Sequence, residues 1–201
     1  METFRLTALP SELEWRNRPL DWRVEDSHRL MIAAGKETDL FVDPAKPNPQ
    51  DNAPCALFSP PDACFLLSAK VQVAFASTFD AGVLQLRQRD DLWAKLCFEF
   101  SPERQPMIVS VVTRGVSDDC NSAVIDKAEI YLRIAQTPTT TAFHYSHDGQ
   151  YWHFVRYFSL GAAERIQVGF SAQSPTGAKC AAVFSEIRYQ PGLLKNNRSG
   201  E

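Results

Sequence analysis

Apolar and polar side chains alternate along most of this chain, and Leu92–Phe100 shows the pattern most plainly. Leu92, Ala94, Leu96, Phe98 and Phe100 fall on one parity, while Trp93, Lys95, Cys97 and Glu99 fall on the other. Successive side chains of a strand point to opposite faces, so this segment predicts a strand with one apolar and one mixed face. The same period predicts further strands at 30–34, 65–75, 83–88, 108–113, 129–135, 142–146, 152–157, 166–172 and 182–189. The i, i+3, i+4, i+7 spacing of an amphipathic helix is nearly absent, which leaves no helices to make parallel crossovers. The fold expected is all-β, a jelly-roll sandwich of two antiparallel sheets.

Breaks in the pattern mark the connections. Residues 43–61 hold six prolines in nineteen positions, which predicts a surface loop instead of a strand. A second loop is expected at 115–127, and 194–201 reads as a frayed polar tail after one domain spanning 1–193. The run Tyr145-Ser146-His147-Asp148-Gly149-Gln150-Tyr151-Trp152 predicts a tight hairpin, because Asp-Gly supplies positive φ angles between two aromatic-rich strands. A two-residue turn there sets His144 opposite His153. No third ligand shares that face, so structural or surface histidines are the expectation.

Composition narrows the classes of function. With 44% apolar and 22% charged residues, the chain can bury a sizeable core. A net charge of −3 with acids and bases interspersed offers no basic stripe, so no nucleic-acid partner is expected. No apolar run approaches the roughly 20 residues that span a bilayer, and the first ten residues lack a leader's basic flank. A cytoplasmic protein with no membrane partner is expected. The five cysteines are odd in number and widely spaced, which suits reduced thiols better than a disulfide framework or a zinc site. Cys120 follows Asp118 and Asp119, where negative charge disfavours a thiolate. The glycines are scattered singly and form no phosphate cradle. No cofactor and no metal are expected.

The mixed face of Leu92–Phe100 carries the candidate chemistry. Trp93, Lys95 and Glu99 line up at strand spacing, and the preceding strand adds Gln85 and Arg87. A sugar ring stacks on indole while charged groups bond its hydroxyls. The alternative is a solvated face whose cross-strand pairs are each worth roughly tenths of a kcal/mol. A hydrolytic pair would need a second carboxylate beside Glu99, and only the fold can bring Asp118, Asp119 or Asp39 to it.

Several stretches together resemble the regulation-of-enolase family. They are Ala34-Gly35-Lys36-Glu37-Thr38-Asp39-Leu40-Phe41, then Phe79-Asp80-Ala81-Gly82-Val83 with Trp93-Ala94-Lys95, then Val111-Val112-Thr113-Arg114-Gly115-Val116-Ser117-Asp118, and the Ser146 to Trp152 hairpin. The resemblance runs in order from about Leu13 to Tyr189. It implies a concanavalin A-like jelly roll, with Thr38, Asp39, Lys95, Glu99, Thr113, Ser117 and Asp118 at recurrent polar positions around a concave face. Where the family shows Ser-Asp-Trp-Ser, this chain has Ser117-Asp118-Asp119-Cys120, so the aromatic of that edge is missing. The candidate ligand-binding set is therefore Asp39, Gln85, Arg87, Trp93, Lys95, Glu99, Thr113 and Asp118. Three classes of function follow: a non-catalytic module for a saccharide or sugar-like metabolite, a cytosolic regulatory factor with a metabolic enzyme as protein partner, and a glycosidase or lyase using Glu99 with Asp118 or Asp39.

Overall fold

A computed structural model describes residues 2–46, 48–161 and 165–201; Met1, Pro47 of the proline-rich stretch and 162–164 lie outside it. In chain order the strands are β1 (Thr3–Phe4), β2 (Leu13–Arg16), β3 (Asp21–Glu25), β4 (Arg29–Ala34), β5 (Leu40–Val42) and β6 (Pro49–Asp51). There follow β7 (Cys55–Phe58), β8 (Phe65–Val73), β9 (Ala81–Arg89), β10 (Leu92–Phe100), β11 (Pro106–Arg114) and β12 (Val116–Val124). The last are β13 (Glu129–Gln136), β14 (Thr141–Ser146), β15 (His153–Phe158), β16 (Gln167–Gln173) and β17 (Cys180–Pro191). No helix occurs among the described residues, and so none that is long and apolar enough to cross a membrane.

Two large antiparallel sheets form a jelly-roll sandwich. One runs β1-β2-β7-β16-β9-β10-β11-β12 and the other β15-β14-β13-β8-β17-β4-β3, while β5 and β6 pair separately. Period-two alternation produces the core between them. Leu84, Leu86, Leu96, Phe98 and Phe170 come from the first sheet, and they meet Ile32, Leu67, Val71, Ile134 and Phe184 from the second. Phe170 and Phe184 touch across the layer with ring centroids 5.0 Å apart.

The structure corrects the two expected loops and the tail. Within the proline-rich stretch, Cys55–Phe58 is a fully buried strand between β2 and β16. Pro54 and Pro60 flank it without interrupting its ladder, and four residues buried on both faces show no alternation. Within 115–127, Val116–Val124 is an edge strand on β11, and its mostly exposed polar side chains hide the period. The tail is docked: Arg133 donates to the Gly200 carbonyl at 2.8 Å, and Arg198 lies over the Phe154 ring at 5.2 Å.

The β14–β15 hairpin forms with a longer turn than two residues. Tyr145 pairs with His153 and His144 with Phe154, so the two histidines face opposite sides of the sheet. Gly149 does adopt a positive φ of 73°, and the Asp148 carboxylate accepts from the Gln150 and Tyr151 amides. His144 is buried against the tail, its Nε2 lying 2.7 Å from the Asn197 carbonyl.

At Gly169 the β7 and β16 backbones approach so closely that a Cβ would lie 2.0 Å from the Ala56 carbonyl oxygen. Gly169→Ala must therefore push apart two paired strands. Overpacking of this kind costs about 3 kcal/mol, which equilibrium urea unfolding of the purified variant will register as a lowered midpoint.

Candidate functional site

The sheet register aligns polar side chains in rows on the outer face of the eight-stranded sheet. One row runs Gly169, Gln85, Lys95, Val111, Asp119; a second runs Gln173, Ala81, Glu99, Met107; a third runs Gln167, Arg87, Trp93, Thr113, Ser117. A bare sheet would expose all three. Here residues 35–46 and 48–53 fold back over the face as a roof, and its anchors are specific. Leu40, Val42 and Ala53 pack on Trp93 and Val111. The Val42 amide donates to Ser117 Oγ at 2.9 Å, and that hydroxyl lies 2.8 Å from Thr113 Oγ1. Asp51 accepts from Arg87 at 2.9 Å and from Arg16 at 2.6 Å.

This roof revises the reading of the mixed face. Trp93 is 1% exposed, so its indole is a floor under the roof and offers no platform to a ligand. Arg87 is buried and held by Asp51 and Asp90. Thr113 serves the Ser117 anchor, and Gln85 is buried beside Lys95 with neither amide atom bonded to any described residue. Asp118 turns away to Arg156, 3.0 Å distant. The pairing of Glu99 with Asp118 that a hydrolytic reading invokes is therefore not assembled.

Where the roof ends, a cavity of about 290 Å³ opens over β10. Asp39, Lys95 and Glu99 line it together with Gln173, Asp119 and the rings of Phe41 and Phe79. The sequence reading missed Gln173, Phe41 and Phe79 from this set, and named Asp119 only as a partner for Glu99. The strand signal in 166–172 and the Phe79-Asp80 pair were visible, but their convergence depends on non-local pairing.

Each wall is fixed locally. Thr38 and Ser174 exchange backbone hydrogen bonds, and the Asn52 carboxamide accepts from the Asp39 amide at 2.8 Å, which seats Asp39 at the rim. The buried Asp80 carboxylate accepts from the Ala76 and Ser77 amides and from Ser174 Oγ. That clasp holds Phe79 at φ 70°, a left-handed conformation that costs a non-glycine residue about 1 kcal/mol or more. Phe79 as a whole stays 37% exposed and lines the cavity.

Electrostatics separate the two charged side chains of β10. Lys95 Nζ donates to Gln173 Oε1 at 2.8 Å and lies 3.4 Å from Asp39. Burial works against its charge, yet Asp39, with Cys97 and Glu99 adding to it, holds the ammonium above its ordinary range. Glu99 is 8% exposed, and its carboxylate bonds to no protein donor among the described residues. Burial raises it to about 7; Lys95 opposes that shift, while Asp39 and Asp119 reinforce it. Burial also pushes the Cys97 thiol up, so it is no nucleophile at neutral pH. Among the described residues no three His, Cys, Asp or Glu side chains cluster closely enough to hold a metal ion.

Residues 15–192 match DUF1349, described as a protein family of unknown function. The chain belongs to that family. No curated protein sequence matches this DUF1349 chain. Among solved structures, a functionally unknown protein from Saccharomyces cerevisiae is 22% identical with a TM-score of 0.83, the match covering 90% of this chain and 97% of that one. The GH43 BlXynB protein from Bacillus licheniformis is 16% identical with a TM-score of 0.70, over 89% of this chain and 37% of that one. A legume lectin-like domain from Entamoeba histolytica is 13% identical with a TM-score of 0.57, over 90% of each. At these identities the likeness is one of fold.

Trp93→Ala removes the floor of the roof, so it should destabilise the protein by about 3–5 kcal/mol in chemical denaturation. Glu99 gives a second expectation, with a definite sign. Its folded-state value of about 7 lies above the ordinary 4.5, so the folded protein binds the proton more tightly than the unfolded chain. The associated stability is present below pH 4.5 and is lost as pH rises through about 7. Unfolding midpoints measured from pH 5 to 8 should fall in the wild type, and Glu99→Gln should flatten that slope.

Proposed function

We propose that the protein is a non-catalytic binding module whose cavity over β10 holds a saccharide or a sugar-like metabolite in the cytoplasm. The observation that carries this reading is the buried Glu99 carboxylate, unbonded to protein and open to a cavity with Phe79 at its mouth. Leaving such a group without a partner costs about 1–3 kcal/mol or more, which a hydroxyl donor from a ligand recovers. Phe41 and Phe79 supply apolar ring faces, and Lys95 with Gln173 forms a rigid polar back wall. At about 290 Å³ the cavity sits at the small end of ligand pockets, which suits a single sugar ring better than a polymer. The lectin-like fold supports the reading by analogy alone.

A second reading, a cytosolic regulatory factor for a metabolic enzyme, comes from the regulation-of-enolase resemblance. It has one structural support: β12 is a sheet edge that exposes Val116 and Val124, a place where another chain can add.

Titration calorimetry against a panel of neutral, amino and acidic monosaccharides tests the first reading. Binding is expected, weakened about tenfold or more by Phe79→Ala or Glu99→Gln, in keeping with one lost stacking or charged hydrogen-bond contact. Absence of heat with every sugar overturns it.

A further inference from the structure

The cavity is rich in acceptors and poor in donors. Gln173 spends its amide oxygen on Lys95 and its amide nitrogen on the Phe79 carbonyl, 3.1 Å away. Lys95 gives two of its three N–H groups to Gln173 and Asp39. Against these stand the carboxylates of Asp39, Glu99 and Asp119. Lys95 and Asp39 pair at 3.4 Å, which leaves Glu99 and Asp119 as the carboxyl groups of the cavity with no cation in contact. Asp119 is exposed on the edge strand, whereas Glu99 is over nine-tenths buried and without a protein donor. A carboxyl group taken out of water in this way keeps its proton until a cation comes beside it, so an ammonium ligand exchanges that proton for an ion pair, and Phe41 and Phe79 line the same cavity with aromatic rings that attract a cation.

From this geometry we infer that the cavity recognises an amine-bearing ligand, its ammonium seated between Glu99 and Asp119 and flanked by Phe41 and Phe79. Resting on the sugar-binding reading, the inference names the class of sugar: an amino sugar in its protonated form. A neutral sugar offers hydroxyls that can bond these acceptors but brings no charge. An acidic sugar meets three carboxylates and one lysine already paired, so it is repelled.

Asp119 lies opposite Val111 in the Lys95 row, which puts a carboxylate at the cavity rim. Its neighbour Asp118 faces Arg156 and lies outside the cavity, which makes the adjacent pair an internal control.

The experiment is calorimetric titration of the full chain at neutral pH with glucosamine, glucose, glucuronate and n-butylamine. Glucosamine is expected to bind at least about tenfold more tightly than glucose, the preference of one charge-assisted contact, and glucuronate not at all. Asp119→Asn should reduce that preference about threefold to tenfold at the exposed rim, and Asp118→Asn should leave it unchanged. Asp119 is exposed on an edge strand, so the substitution disturbs no core packing, and circular dichroism checks the fold. Equal affinity for glucose and glucosamine overturns the inference and leaves sugar binding intact. Binding of n-butylamine without any sugar keeps the ammonium site and overturns the sugar reading. Silence with all four probes overturns both.

Discussion

Asp51 sits on the short strand β6 and holds Arg87, a guanidinium that is 3% exposed in the middle of a sheet face. A buried arginine is expensive without carboxylates; Asp90 supplies one from the turn between β9 and β10, and Asp51 can supply the second only if β6 lies across that face. The ion pair therefore does more than join two side chains. It fixes the roof, and the roof decides which parts of the polar face meet water. Trp93 and Val111 supply the apolar contact beneath it, and Ser117 fixes the roof's Val42 amide to the sheet edge. Remove the roof from consideration and the outer face looks like a solvated sheet; with it in place, one part becomes core and the remainder a cavity.

The cavity inherits an imbalance from that arrangement. Lys95 is held from both sides by Asp39 and Gln173, so its charge is spent inside the protein. Glu99, two pleat repeats further along β10, is desolvated with only Lys95 opposing the effect and retains its proton up to about pH 7. Stability and binding pull in opposite directions at that residue. A fold optimised for stability alone would pair Glu99 or replace it, and perturbed carboxylates of this kind concentrate where proteins meet ligands. The left-handed Phe79 beside it belongs to the same pattern, since the Asp80 clasp maintains local strain at the cavity mouth.

Much of the architecture was legible along the chain because strand alternation is a local property. Leu92–Phe100 matched its strand end to end, and the sandwich followed from period two without helices. Several strands escaped, the short β1, β2, β3, β5 and β6 among them, and Cys55–Phe58 and Val116–Val124 did so for opposite reasons. One is buried on both faces and the other nearly bare, so neither alternates. Of the candidate site, Asp39, Lys95 and Glu99 do line one cavity, while Gln85, Arg87, Trp93, Thr113 and Asp118 lie beside or beneath it. Parity correctly separated the two faces of β10, but parity says nothing about what covers a face.

The sequence by itself determined the strand pattern, the apolar face that builds the sandwich, and the line of Trp93, Lys95 and Glu99 opposite it, since each depends only on the two-residue repeat of an extended chain. The tertiary structure decided the rest. Whether Trp93 is platform or floor, whether Glu99 meets Asp118 or Asp119, and whether Lys95 is free or paired all rest on contacts between segments far apart in the chain. Asp39, Leu40, Val42, Asp51 and Ala53 of the roof reach across to β9, β10 and the outer strands through a handful of such contacts, and no local periodicity records them.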